Sequence, residues 1–273
     1  MARARRRKAL PTAFLALHIV IVAIPISVLV IWSFTAYWPW PDLLPQTLSL
    51  KGFEDLFSPG THLGFILAQS IGIAVACALI TTAIAAMAAR ALARYRFVGH
   101  DVFHFFTVLP FLVPSTVFAM GIQVAFIRAG LARTVTGVIL AHSIVALPYA
   151  VTIMIDVSVA AGGKLEEAAR ALGASPWQNL VHVIIPGIAP GLLTSFSMSY
   201  ILSFSQYFLT LLIGGGAVKT FALTMFPYLT GSDRTVASAY GIVFLVSTFV
   251  VFLILELVLK KFGYRTRQNL YGA

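Results

Sequence analysis

The sequence predicts an all-α membrane protein of six transmembrane helices with both termini in the cytoplasm. Three observations predict it. The 273 residues are 59% hydrophobic and only 10% charged, where a soluble domain carries about 25% charged residues. The charges bracket apolar stretches of about 20 residues or more, enough to cross a hydrocarbon core. The Lys and Arg residues also fall unequally on the two sides that six crossings define.

The spans follow in order from the gaps between charges, because an ionised side chain is costly in the bilayer core. Lys8 to Asp42 encloses the first, with its apolar part over 12–34. Its Arg-rich start resembles a signal peptide, but the apolar run is too long and no small-x-small cleavage site follows Trp32, so the helix is expected to be retained. Pro39, Pro41 and Pro45 then forbid a regular helix, and Trp38 and Trp40 suit the outer interface, where amphipathic rings settle. The second span is expected over 63–89, the third over 102–127 and the fourth over 135–155. The gap from Arg170 to Lys219 begins with SPWQNLVHVIIPG, which is too polar for a lipid-facing helix. One span is therefore expected over 187–213, with 157–186 a cytoplasmic loop. The sixth is expected over 236–259, and residues 1–273 read as a single transmembrane domain.

Orientation comes from the basic residues. Six spans place Arg3 to Lys8, Arg90, Arg94, Arg96, Lys164, Arg170 and the tail from Lys260 to Arg267 on one side, fourteen of the nineteen Lys and Arg. The excess marks that side as cytoplasmic. The net charge of +10 does not indicate nucleic acid, since the cations sit at the ends of apolar runs and not in a soluble basic domain with aromatic platforms. The single cysteine, Cys77, lies inside an apolar run and reads as a small packing residue.

The loop carries the most specific pattern. Leu165, Ala168, Ala169 and Leu172 fall at helical spacing on one apolar face, and Glu166 and Arg170 form an i, i+4 pair in the favoured order. Gly173 sits where a helix needs its left-handed stop. Ser175 can cap a second short helix, with Pro176 at its first position and Gln178 completing a capping box. The small alanines permit close approach to a protein groove and bury little area in lipid, so a docking element is the better reading.

Glu167-Ala168-Ala169, then Gly173 four residues on, then Val183, Ile185 and Pro186 after nine more, resemble the EAA loop of binding-protein-dependent ABC importer permeases. The resemblance, with the six-span layout, covers nearly the whole chain. It implies the type I importer permease bundle and assigns Glu167, Ala168, Ala169, Gly173 and Pro186 to coupling with a separate ABC ATPase subunit, which would use ATP and Mg. It also implies a second permease chain, identical or homologous, an extracytoplasmic solute-binding protein, and residence in the bacterial plasma (inner) membrane. The run from Gly214 to Thr220 lacks the Gly-Lys-Ser/Thr of a phosphate-binding loop, so no ATPase site and no cofactor is expected in this chain.

No residues support an enzyme. His142 and Ser143 are helix neighbours about 100° apart, and the six histidines lack metal-ligand spacing. Asp156 and Glu256 read as interfacial charges. Ser195, Ser199 and Ser203 recur every four residues, and Gln206 continues the face. The serines suit close helix packing as well as a pathway, whereas a primary amide has no reason to face lipid. Ser199, Ser203 and Gln206 are the expected translocation path. WPWPDLLPQTLSLKGFEDLF and QYFLTLLIGGG are loosely similar to polyamine, phosphonate and thiamine permeases. Ser205 and Gln206 stand where polyamine permeases usually carry acidic residues, so a small polar or anionic solute fits as well. The alternative, a secondary transporter driven by an ion gradient, needs ionisable groups near the membrane centre, and none is clearly placed.

Overall fold

The computed structural model describes residues 2–39, 42, 44–113 and 115–261. Trp40, Pro41 and the basic tail residues Arg265 and Arg267 lie outside them. Among the described residues, five segments are long and apolar enough to cross a membrane: Phe14–Ser33, Pro59–Arg94, Val135–Ala161, Pro176–Phe204 and Arg234–Leu257. The chain divides into two units.

The first unit comprises residues 1–63 and 225–249. Helix α1 (Ala2–Ser33) ends at the Pro-rich stretch, where the chain turns into two short antiparallel strands, β1 (Thr35–Tyr37) and β2 (Thr47–Leu48). Trp32 and Trp38 stack at 4.9 Å, and Arg234 lies over the Trp32 ring. Helix α2 (Lys51–Leu56) follows. Its Gly52 meets the Thr235 backbone so closely that a Cβ would come within 2.9 Å of the carbonyl oxygen.

The second unit, residues 64–224 and 250–273, holds most of the bundle. It contains α3 (Leu63–Arg94) from Gly64 on, α4 (His100–Leu112), α5 (Ser115–Arg128) and α6 (Val135–Ala161). Then come α7 (Lys164–Ala171), α8 (Pro176–Asn179), α9 (Ile185–Phe204) and α10 (Phe208–Gly214). Helices α11 (Phe221–Thr230) and α12 (Arg234–Lys261) are each divided between the units. Helix α6 is central: Ala150, Val151 and Met154 pack with Ala85 and Ala89 of α3 and with Ile188 and Leu192 of α9. Nearer the other end, Val138 and Ala141 pack with Ile73, Phe126, Leu209 and Ile213. Fully buried alanines on α3 and α6 let the backbones approach closely, which is how helices associate in lipid.

Two expected spans and the expected loop differ. The stretch 102–127 is two helices, α4 and α5, because Val113 precedes a proline and is held extended at φ −95°, ψ 123°, as the proline ring demands. The expected loop 157–186 is shorter than its bounds, since α6 runs to Ala161 and a continuous helical run starts at Pro176. Pro186 does not end that run. The residues before it, Leu180–Ile184, form a π turn, whose wider winding spares the proline ring its clash with the carbonyl four residues back. The expected span 187–213 ends early: α9 stops at Phe204, and residues 205–207 separate it from α10.

Candidate functional site

Residues 162–186 form a helical hairpin between α6 and α9. Gly162, at φ 64°, ends α6, and α7 begins two residues later. Gly173 adopts φ 85°, a conformation that side chains resist. Its amide and that of Ala174 donate to the Arg170 and Ala169 carbonyls at 3.0 Å each, satisfying the free end of α7. Ser175 Oγ accepts from the Gln178 amide at 3.3 Å, and Gln178 Oε1 accepts from the Ser175 amide at 2.9 Å. This capping box fixes the start of α8.

The hairpin turns its apolar side chains outward. Leu165 is exposed, Leu172 is 89% exposed and Trp177 71%. Of the residues singled out by the EAA-like pattern, Glu167, Ala168, Gly173 and Pro186 are exposed and Ala169 is half-buried. The inward-facing acid is Glu166, only 8% exposed. Arg90 donates to it through Nη1 and Nη2, at 3.2 and 2.9 Å, and Arg94 at 3.2 Å. Arg170 reaches the same carboxylate at 3.5 Å, the expected i, i+4 contact. Sequence reading missed Arg90 and Arg94. Their only signal was their own spacing, two arginines one turn apart on a helix end.

Of the expected path residues, Ser199 and Ser203 share the buried face of α9, and Gln206 lies beyond its end. Ser199 and Ser203 are 1% and 4% exposed, inside this chain, and Ser199 Oγ has no hydrogen-bond partner among the described residues. Ser203 Oγ pairs with His142 Nδ1 at 2.9 Å, and His142 Nε2 with Thr210 Oγ1 at 3.0 Å. Ser195 Oγ donates to the Ala150 carbonyl at 3.2 Å. Gln206 leaves the serine face because α9 has already ended. It is half-buried in the break, where its carbonyl accepts from Thr210 Oγ1 at 2.6 Å. Sequence reading dismissed His142 as half of a dyad with Ser143. Its partners instead come from α9 and α10.

The family model described as "Binding-protein-dependent transport system inner membrane component" matches residues 81–264. The chain belongs to this family. It is 29% identical to the sulfate transport system permease protein CysT of Escherichia coli, over 64% of this chain and 68% of the relative. It is 25% identical to a putative 2-aminoethylphosphonate transport system permease protein, PhnV, of Salmonella typhimurium, over 90% and 92%. The spermidine/putrescine transport system permease protein PotC of Haemophilus influenzae is 24% identical over 78% and 85%. A solved bacterial ABC transporter that imports the acidic polysaccharide alginate contains a chain of the same fold, with TM-score 0.69, 18% identity and coverage of 92% and 96%.

The protein is therefore an ABC importer permease, a multi-pass protein of the bacterial inner membrane. Permeases of this family work with an ATPase, a substrate-binding protein and a partner permease. The family match includes α6, the hairpin, α9 and α10, the segment in which the geometry above is concentrated.

Proposed function

We propose that this permease couples to its ATPase through the hairpin, with Glu167, Ala168, Ala169, Gly173 and Pro186 as the coupling residues. The observation that carries the reading is the outward apolar face of an otherwise tightly capped element. Leu172 and Trp177 stand exposed on either side of Gly173, and the left-handed glycine and the capping box give that face a fixed shape. Exposed apolar side chains on a rigid support suit a protein groove. Six spans with both termini inside place the hairpin in the cytoplasm, with α4 and α5 together making the third crossing. Each is about 20 Å long at 1.5 Å per residue, too short to cross alone.

Purification in mild detergent with the neighbouring gene products tests the reading. An ATPase should co-purify, and photo-crosslinkers at Leu172 and Trp177 should capture it. An intact permease that brings down no ATPase would overturn it.

The route itself is inferred to run past Gln206, between this chain and a second permease chain, with the solute delivered by an extracytoplasmic binding protein. The break at residues 205–207 contains no acidic side chain, which favours a small polar or anionic solute over a polyamine. Uptake of radiolabelled sulfate and 2-aminoethylphosphonate against spermidine decides between them. Preferential spermidine uptake would reverse the assignment.

A further inference from the structure

Glu166 and Glu167 are neighbours on α7 and point about 100° apart. One faces solvent; the other faces the Arg94 end of α3. We propose that Arg90, Arg94 and Glu166 form a latch that makes this end of α3 move with the hairpin. In this proposal Glu166 is a positioning residue for transport and takes no part in the ATPase contact. The proposal rests on the coupling reading above.

Four features support a latch. Arg90 engages both carboxylate oxygens, and such a fork-to-fork pair fixes orientation as well as distance. Arg94 extends the hold to the joint between α6 and α7: it donates to the Gly162 carbonyl, and its guanidinium lies where a side chain on Gly163 would have to go. The chain itself ties the hairpin to α6 and α9, but α3 is separated from Glu166 by 72 to 76 residues. Among the described residues, the ion pairs joining the hairpin to another helix are those to Arg90 and Arg94. Finally, the space between these elements is a recess lined by Arg90, Arg94, Ser158, Glu166, Ile184 and Gly187, so charge spans a gap that packing does not fill. Neutralising Glu166 would leave Arg90, Arg94 and Arg170 facing one another, and like charges would push the latch open.

Hydrogen exchange read by mass spectrometry tests this on the full-length permease in complex with its co-purified ATPase. Exchange is compared with and without a non-hydrolysable ATP analogue. In the wild type, residues 162–179 and residues 86–98 should both respond to nucleotide. In Glu166→Gln the hairpin response should remain, while the response of 86–98 falls on the order of tenfold. Glu166→Asp, which keeps the charge, should retain it. If Glu166→Gln does not assemble, Arg90→Gln removes the bidentate partner and carries the same test. A response of 86–98 as large in the neutralised variant as in the wild type overturns the latch. So does a wild type in which the hairpin responds and 86–98 does not. A wild-type hairpin that the ATPase fails to protect refutes the coupling reading instead.

Discussion

Both ring nitrogens of His142 are used, one by a hydroxyl from α9 and one by a hydroxyl from α10. A neutral imidazole offers one donor and one acceptor, and hydroxyls can answer either. His142→Leu deletes both bonds and strands buried polar groups, which costs about 1–3 kcal/mol. The melting temperature of the purified permease should fall, and His142→Gln, which still offers a donor and an acceptor, should lose less. An unchanged melting temperature in His142→Leu would show the bonds to be idle. This site was hidden in the sequence because helical spacing announces that Ser195, Ser199 and Ser203 share a face without saying what the face meets. Here it meets α6. Gln206 extends that face only if the helix continues to it, and α9 ends at Phe204. With the amide released into the break, Gln206→Leu should impair uptake while leaving the complex assembled. Full transport of the cognate solute by that variant would remove Gln206 from the route.

At the scale of elements, the hairpin was the most legible part because its determinants are local. Gly173, Ser175, Pro176 and Gln178 lie within six residues and dictate one another's geometry. Gly173→Val puts a β-branched side chain at φ 85°, a conformation such residues scarcely adopt, and Glu167→Lys reverses an exposed charge. Both variants should insert normally and lose ATPase binding or transport; normal uptake with normal binding in both would refute the docking role. The ion pairs from α3 were illegible for the opposite reason, since nothing near Glu166 in sequence names a partner more than seventy residues away. The contact of α9 with α6 makes another prediction. A Cβ on Gly191 would stand 2.9 Å from Val157 Cβ, so Gly191→Ala should cost about 1–3 kcal/mol by overpacking. Val157→Gly, which removes that Cβ, should make the double variant lose less than the sum of the two single losses, measured by thermal unfolding. Additive losses would place the strain elsewhere.

For the whole molecule, composition indicated a helical membrane protein, and charge gaps put the second, fourth and sixth expected spans inside α3, α6 and α12. What they could not register is a helix interrupted inside an apolar run, because Val113 and residues 205–207 break the backbone without adding charge. Topology rests on the charge bias. Cysteines placed after Lys51, Gly130 and Gly216 should react with an impermeant maleimide from outside intact cells, and the C-terminal tail should not. Reaction of the tail would invert the arrangement. The π turn has a consequence for sequence length. Buried residues along this run step by five from Asn179 to Ile184 and again to Ala189, and then from Ser195 to Ser199 to Ser203 by fours. The turn winds with i to i+5 bonding, Ile185 to Leu180, and so holds one residue more than an ordinary helical turn. A chain with alanine at 186 and one residue deleted between 180 and 183 would present the same inner face on an uninterrupted α-helix. When this permease is aligned with a relative one residue shorter between the glycine of the hairpin and α9, the gap belongs at the π turn.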